Sequence, residues 1–69
     1  MEKITLKKYR EMNGLTQAES AKALGITVVY FSELERGISK PGHKLAWKIH
    51  KWSGGEISLN TLRDDIWRE

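Results

Sequence analysis

Residues 16–37, Thr-Gln-Ala-Glu-Ser-Ala-Lys-Ala-Leu-Gly-Ile-Thr-Val-Val-Tyr-Phe-Ser-Glu-Leu-Glu-Arg-Gly, constrain what this chain can fold into more than any other stretch. They predict two short helices joined by a tight turn. Thr16 is an N-cap candidate with Glu19 three residues on, the signature of a capping box. Ala21 and Leu24 mark one helical face, and Gly25 follows the last apolar residue, where helices commonly stop with positive φ. Thr27 can cap the next helix, with Ile26 and Phe31 placed as a hydrophobic staple. Phe31 and Leu34 continue an apolar face, and Gly37 ends it.

The second helix of this pair is the informative one. At roughly 100° per residue, Phe31 and Leu34 point one way, flanked by Tyr30 and Glu35. Val28, Val29, Ser32, Glu33 and Arg36 point the other way. A surface helix normally turns long polar and charged side chains to water. Two valines and a serine near the N-terminal end instead make a small-residue face, suited to lying against something flat or grooved.

The rest of the chain reads as further short helices. Residues 4–13 predict a helix capped by Thr5 and stopped by Gly14, with Leu6, Tyr9, Met12 and Asn13 facing inward. Residues 38–42 are a loop, and Pro41 suits the first turn of the next helix. That helix runs from Pro41 or Gly42 to Ser53. Leu45, Ile49 and Trp52 share its buried face, with Ala46 at the edge. Lys44, Lys48 and Lys51 form a neighbouring stripe. Trp47 falls nearly opposite Leu45 and Ile49, so it should be largely exposed, either as a partner contact or under a lysine stem or the tail. Gly54 and Gly55 end this helix. Residues 56–62 predict one more, capped by Ser58 with Ile57 and Leu62 as the staple. The expectation is an all-α fold of about five short helices.

Composition narrows the function. A chain of 69 residues is one domain, near the size at which a single core is only just sufficient. It has no cysteine, so no disulfide or thiolate metal site can help. No apolar run approaches the ~20 residues that span a bilayer, and Met1-Glu2-Lys3 lacks a signal-peptide pattern, so the expected location is the cytoplasm. The net charge of +3 is modest, but residues 36–51 carry Arg36, Lys40, Lys44, Lys48 and Lys51 and no acid. A basic block there is a footprint expected of phosphate contact. It serves equally as a solvated lysine face.

The spacing of Leu15-Thr16-Gln17, Ala21, Leu24-Gly25-Ile26-Thr27, Phe31-Ser32-x-Leu34-Glu35-Arg36-Gly37 and Pro41 resembles the helix-turn-helix of the Cro/repressor (xenobiotic-response-element type) family. The resemblance covers residues 5–53, with residues 54–69 as a tail that either covers the core or mediates dimerisation. Ser20 departs from it: the family usually places a large apolar residue there. The tail Leu62-Arg63-Asp64-Asp65-Ile66-Trp67 is similar to the ends of small Cro-like phage regulators, with Asp64 in place of a proline.

The resemblance implies a lambda repressor-like DNA-binding domain whose third helix lies in the major groove. Its base-facing positions map onto Thr27, Val28, Val29, Ser32, Glu33 and Arg36. Gln17 would meet the DNA backbone and the third helix, and Lys40, His43 and Lys44 would continue the phosphate contacts. Arg10 and Glu35 fall where the family places a structural ion pair, although each could also stand alone in solvent. Trp47, Ile66 and Trp67 are candidate interface residues. The implied protein is a transcriptional regulator of double-stranded DNA, a small dimeric repressor of phage or prophage type, nucleoid-associated, with no cofactor, metal, membrane or small-molecule ligand. A chain from Met1 to Glu69 without an effector-binding or self-cleaving segment suits a switch controlled by its own concentration. A toxin–antitoxin or restriction–modification controller would look much the same. The rival is a protein-interaction module on this fold that does not bind DNA.

Other chemistry finds little footing. His43 and His50 stand two turns apart on one helix, about 10 Å, too far to share a metal ion unaided, and are expected at the surface. Ser32 has no histidine nearby in sequence to act as its base, and no glycine loop could cradle a phosphate. The expectation is that the protein is not an enzyme.

Overall fold

The computed structural model describes residues 3–63. Among them are five helices and no strand: α1 (Leu6–Met12), α2 (Gln17–Leu24), α3 (Val28–Glu35), α4 (His43–Trp52) and α5 (Leu59–Leu62). The expectations for Ile66 and Trp67 lie outside the described residues.

Local capping chemistry fixes the ends of these helices. Thr16 Oγ1 accepts from the Glu19 amide at 3.0 Å while the Glu19 carboxylate accepts from the Thr16 amide at 2.9 Å, a complete capping box. Thr5, Thr27 and Ser58 cap α1, α3 and α5 in the same way, each hydroxyl accepting from an amide three residues on. Gly25 sits at φ 72°, the left-handed conformation that closes α2 and that only glycine adopts without strain. Two residues later Thr27 starts α3, so the turn is as short as its caps allow.

These helices close around Leu6, Ala21, Leu24, Phe31, Ile49 and Ile57, with Tyr9, Leu34, Leu45 and Trp52 among the half-buried residues packed against them. Phe31 is fully buried, and Ala21 stays small where α2 and α3 meet. Tyr9 and Trp52 meet edge to face with ring centroids 5.0 Å apart, joining α1 to the end of α4.

Several expectations need correction. α1 begins at Leu6 rather than Ile4, because Thr5 spends its hydroxyl on the cap. Met12 is exposed, not inward; six steps of roughly 100° from Leu6 carry it off the buried face. Asn13 is also exposed, its side-chain amide donating to the Tyr9 carbonyl at 2.8 Å to close the helix end. Pro41 is buried and precedes the N-cap Gly42 instead of opening α4, and its carbonyl accepts from Arg63 Nη1 at 2.9 Å. Ala46 lies at the centre of the buried face of α4 with Ile49, while Leu45 is only half-buried. α5 is one turn long. His50 is half-buried rather than a surface group: its Nδ1 lies 2.8 Å from the Ile57 carbonyl. Ser53, expected only as the end of this helix, is its C-cap and is buried, donating to the His50 carbonyl and accepting from the Ile57 amide. These bonds fold the chain back after α4 and drive Ile57 into the core.

Ser20 is fully buried on α2, and its hydroxyl has no hydrogen-bond partner. A buried, unsatisfied hydroxyl costs free energy that an apolar group of similar size would not. Ser20→Ala should therefore raise the stability of the fold by about 1 kcal/mol, measured by urea denaturation; a loss of stability would show that the hydroxyl has a partner in solution.

Candidate nucleic-acid interface

The site is built from the ends of helices held together by one carboxylate. Glu35, at the last turn of α3, has a side chain only 4% exposed. Its Oε2 accepts from Arg10 Nε of α1 at 2.7 Å, and its Oε1 accepts from Gln17 Nε2 of α2 at 2.9 Å. Arg10 Nη2 adds a longer bond to Oε1 at 3.4 Å, and Arg10 Nη1 donates to the Leu15 carbonyl at 3.0 Å. The guanidinium thus faces a carboxylate and a backbone carbonyl together, and its bond to Glu35 holds its pKa above the ordinary value. Three helices and the loop between the first two are tied at this point.

With its back fixed, α3 turns a different face outward. Thr27, Val28, Val29 and Arg36 are exposed, and Ser32 and Glu33 are half-buried. Val28 is 45% and Val29 71% exposed, an unfavourable display of apolar surface that the fold itself does not require. Thr27 spends its hydroxyl on the Tyr30 amide. Arg36 is the C-cap residue of α3. These six residues therefore lie along one helix in the order the sequence predicts.

The residues expected at a phosphate backbone are placed on neighbouring elements. Gln17 is the first residue of α2 and is half-buried, with its amide nitrogen held by Glu35. Glu19 already sets a carboxylate at that helix end, and its bonds to Thr16 lower its pKa, the backbone amide contributing most. The N-terminus of α2 is thus partly neutralised from within. α4 differs. Its N-cap is Gly42, with no side-chain cap bond, and its first turn carries His43 and Lys44 and no acid. Both side chains are exposed, as is Lys40 in the loop before them. Trp47 is exposed on the same helix, with its ring edge to face on His50 at 5.8 Å. No group of three or more metal-ligating side chains occurs among the described residues, and no helix there is long and apolar enough to cross a membrane.

Comparison with known proteins agrees with this geometry. The helix-turn-helix family model matches residues 6–51. An uncharacterized HTH-type transcriptional regulator of Methanocaldococcus jannaschii is 42% identical over 60 residues, which cover 87% of this chain and 91% of the relative. No solved structure matches the chain significantly.

Removing the shared carboxylate strands a charge. Glu35→Ala leaves the Arg10 guanidinium and the Gln17 amide without their acceptor and should cost about 3 kcal/mol of stability, whereas Arg36→Ala, exposed one residue on, should stay within about 0.5 kcal/mol of the parent. Chemical denaturation of both variants checks the contrast.

Proposed function

Because the chain belongs to the helix-turn-helix family, we propose that it is a transcriptional regulator that binds double-stranded DNA with α3 in the major groove. The observation that carries this reading is the outward face of α3. Its back is pinned by Phe31 and Glu35, while Val28 and Val29 stand in water. In a groove their methyl groups meet thymine C5-methyls. Ser32 donates or accepts. Glu33 accepts from cytosine N4 and repels phosphate, so it discriminates rather than binds. Arg36, at the helix end, meets a phosphate or a guanine edge. Gln17 keeps its hold on α3 and meets the backbone beside it.

The first turn of α4 supports the same reading. Cations at a helix N-terminus oppose the helix dipole. Lys44, in the first turn with no acid beside it, is therefore unfavourably placed with respect to that dipole. A phosphate beside that end reverses the sign of the effect, since the Lys44 ammonium and the helix N-terminus then both face an anion. Lys40 continues the same track.

The recognition face offers few strong hydrogen-bonding groups, so discrimination per monomer is modest. A homodimer on a palindromic operator supplies the remainder through two half-sites about one helical turn apart and through operator shape. On this reading the chain acts as one domain, residues 1–69 with its core in 5–53, as a small repressor of phage or prophage type at the nucleoid in the cytoplasm. An antitoxin or restriction–modification controller would use the same surface. The protein needs no cofactor or small-molecule effector for this action and performs no catalysis.

Exposed Trp47 favours a second reading, a protein-interaction module without DNA binding. Retention on bulk DNA at low salt, falling linearly in log–log form as salt rises, supports the first reading; no retention supports the second. Two variants test the roles of single residues. Glu33→Ala should flatten the preference among operator variants more than it changes overall affinity, and a uniform affinity loss would contradict the role given to Glu33. Lys44→Ala should weaken every sequence alike and lower the salt slope by about 1, as measured by titration at several salt concentrations; a sequence-selective effect would show that α4 is misplaced on the duplex.

A further inference from the structure

Val29 and Glu33 stand four residues apart on α3 and so share its outward face, one turn above the other. Val29 is 71% exposed, more than any other large apolar residue among those described. Glu33 is half-buried, and its backbone is held where α3 closes: its carbonyl accepts from the Ile38 amide at 3.0 Å and from the Ser39 amide at 3.3 Å. Helical side chains lean towards the N-terminus of their helix, so the Glu33 side chain reaches back over the turn that carries Val29. The pair thus presents a branched apolar group and a hydrogen-bond acceptor together.

These two groups ask for different things of a base edge. A carboxylate brought up to a phosphate backbone is repelled unless it meets a donor. In the major groove the amino donors are cytosine N4 and adenine N6, and the apolar group is the thymine C5-methyl. No unmodified base sets an amino donor beside a methyl group. Thymine sets its methyl beside the O4 acceptor, which a carboxylate repels. 5-Methylcytosine carries both features on one groove edge, the amino group on C4 and the methyl on the adjacent C5.

We propose that Val29 and Glu33 together read one base, 5-methylcytosine, so that C5-methylation of a cytosine in the operator strengthens binding. The inference rests on the reading in which α3 enters the major groove. A site read this way responds to the methylation state of its DNA. Burial of one methyl group sets the effect at about fourfold in affinity.

The test selects duplexes bound by the full chain from two random pools at low salt, one with 5-methylcytosine at every cytosine and one unmodified. In the best duplex from the methylated pool, each such position is then made in turn cytosine, 5-methylcytosine, thymine and uracil, with the matching partner base, and Kd is measured. The expected result is one position at which 5-methylcytosine binds about fourfold tighter than cytosine and also tighter than thymine. Val29→Ala should remove the preference for the methyl group. Glu33→Gln, whose amide can donate to O4, should remove the preference over thymine. Circular dichroism checks that both variants fold. Equal binding of cytosine and 5-methylcytosine at every position would overturn the proposal while leaving DNA binding intact, and so would a methyl preference that survives Val29→Ala. No enrichment from either pool would overturn the DNA reading itself, and this inference with it.

Discussion

The Glu35 carboxylate holds the arrangement on which the outward face of α3 depends. The pair gains little net stability over an apolar contact, because the Glu35 carboxylate gives up nearly all of its hydration and the Arg10 guanidinium part of its own. What it supplies is position. Arg10 reaches it from α1 and Gln17 from the start of α2, while Arg10 also grips the Leu15 carbonyl in the loop between them. A carboxylate accepts at specific angles, so the three helix ends have one arrangement in which every donor is satisfied. The outward face of α3 inherits its orientation from that arrangement. In a domain this small, with few buried side chains to enforce a unique packing, such a polar knot is a direct way to fix the angle of one helix against its neighbours.

The same division of labour runs through the fold. Hydroxyl caps set where α1, α2, α3 and α5 begin, and Gly25 sets where α2 ends. Apolar residues then need only fill the interior. The places that break these rules are few. Ser20 is buried without a partner, and α4 starts without a side-chain cap and with Lys44 but no acid in its first turn. The first is a plain cost to the fold. The second is a cost that a bound anion would offset.

Much of this was legible in the sequence because it is encoded locally. Capping signals depend on residues three apart, and the turn depends on one glycine, so the two central helices could be placed from spacing alone. The exposure of Val28, Val29 and Arg36 on α3 followed from its helical period, while Ser32 and Glu33 on the same face are half-buried. What escaped was set by contacts between distant segments. Met12 looks like a core residue by type, yet a helix of one and a half to two turns has room for a narrow buried stripe only. Pro41 looks like a helix starter, yet its carbonyl is claimed by Arg63. Ser53 and His50 look like surface residues, yet the chain reversal after α4 needs two polar groups to satisfy the backbone around Ile57. No periodicity announces such bonds. The convergence of Arg10 and Gln17 on Glu35 is of the same kind: 25 and 18 residues separate the partners. The likeness to a known family paired Arg10 with Glu35, but nothing in the sequence put Gln17 on the same carboxylate.

The central claim is that α3 reads DNA sequence. Its most direct test is selection of the full chain against a random duplex pool at low salt, with sequencing of the bound fraction. The account predicts an enriched motif with two-fold symmetry, its half-sites about one helical turn apart. No enrichment over the starting pool would contradict it and leave the valine face and Trp47 as surfaces for a protein partner.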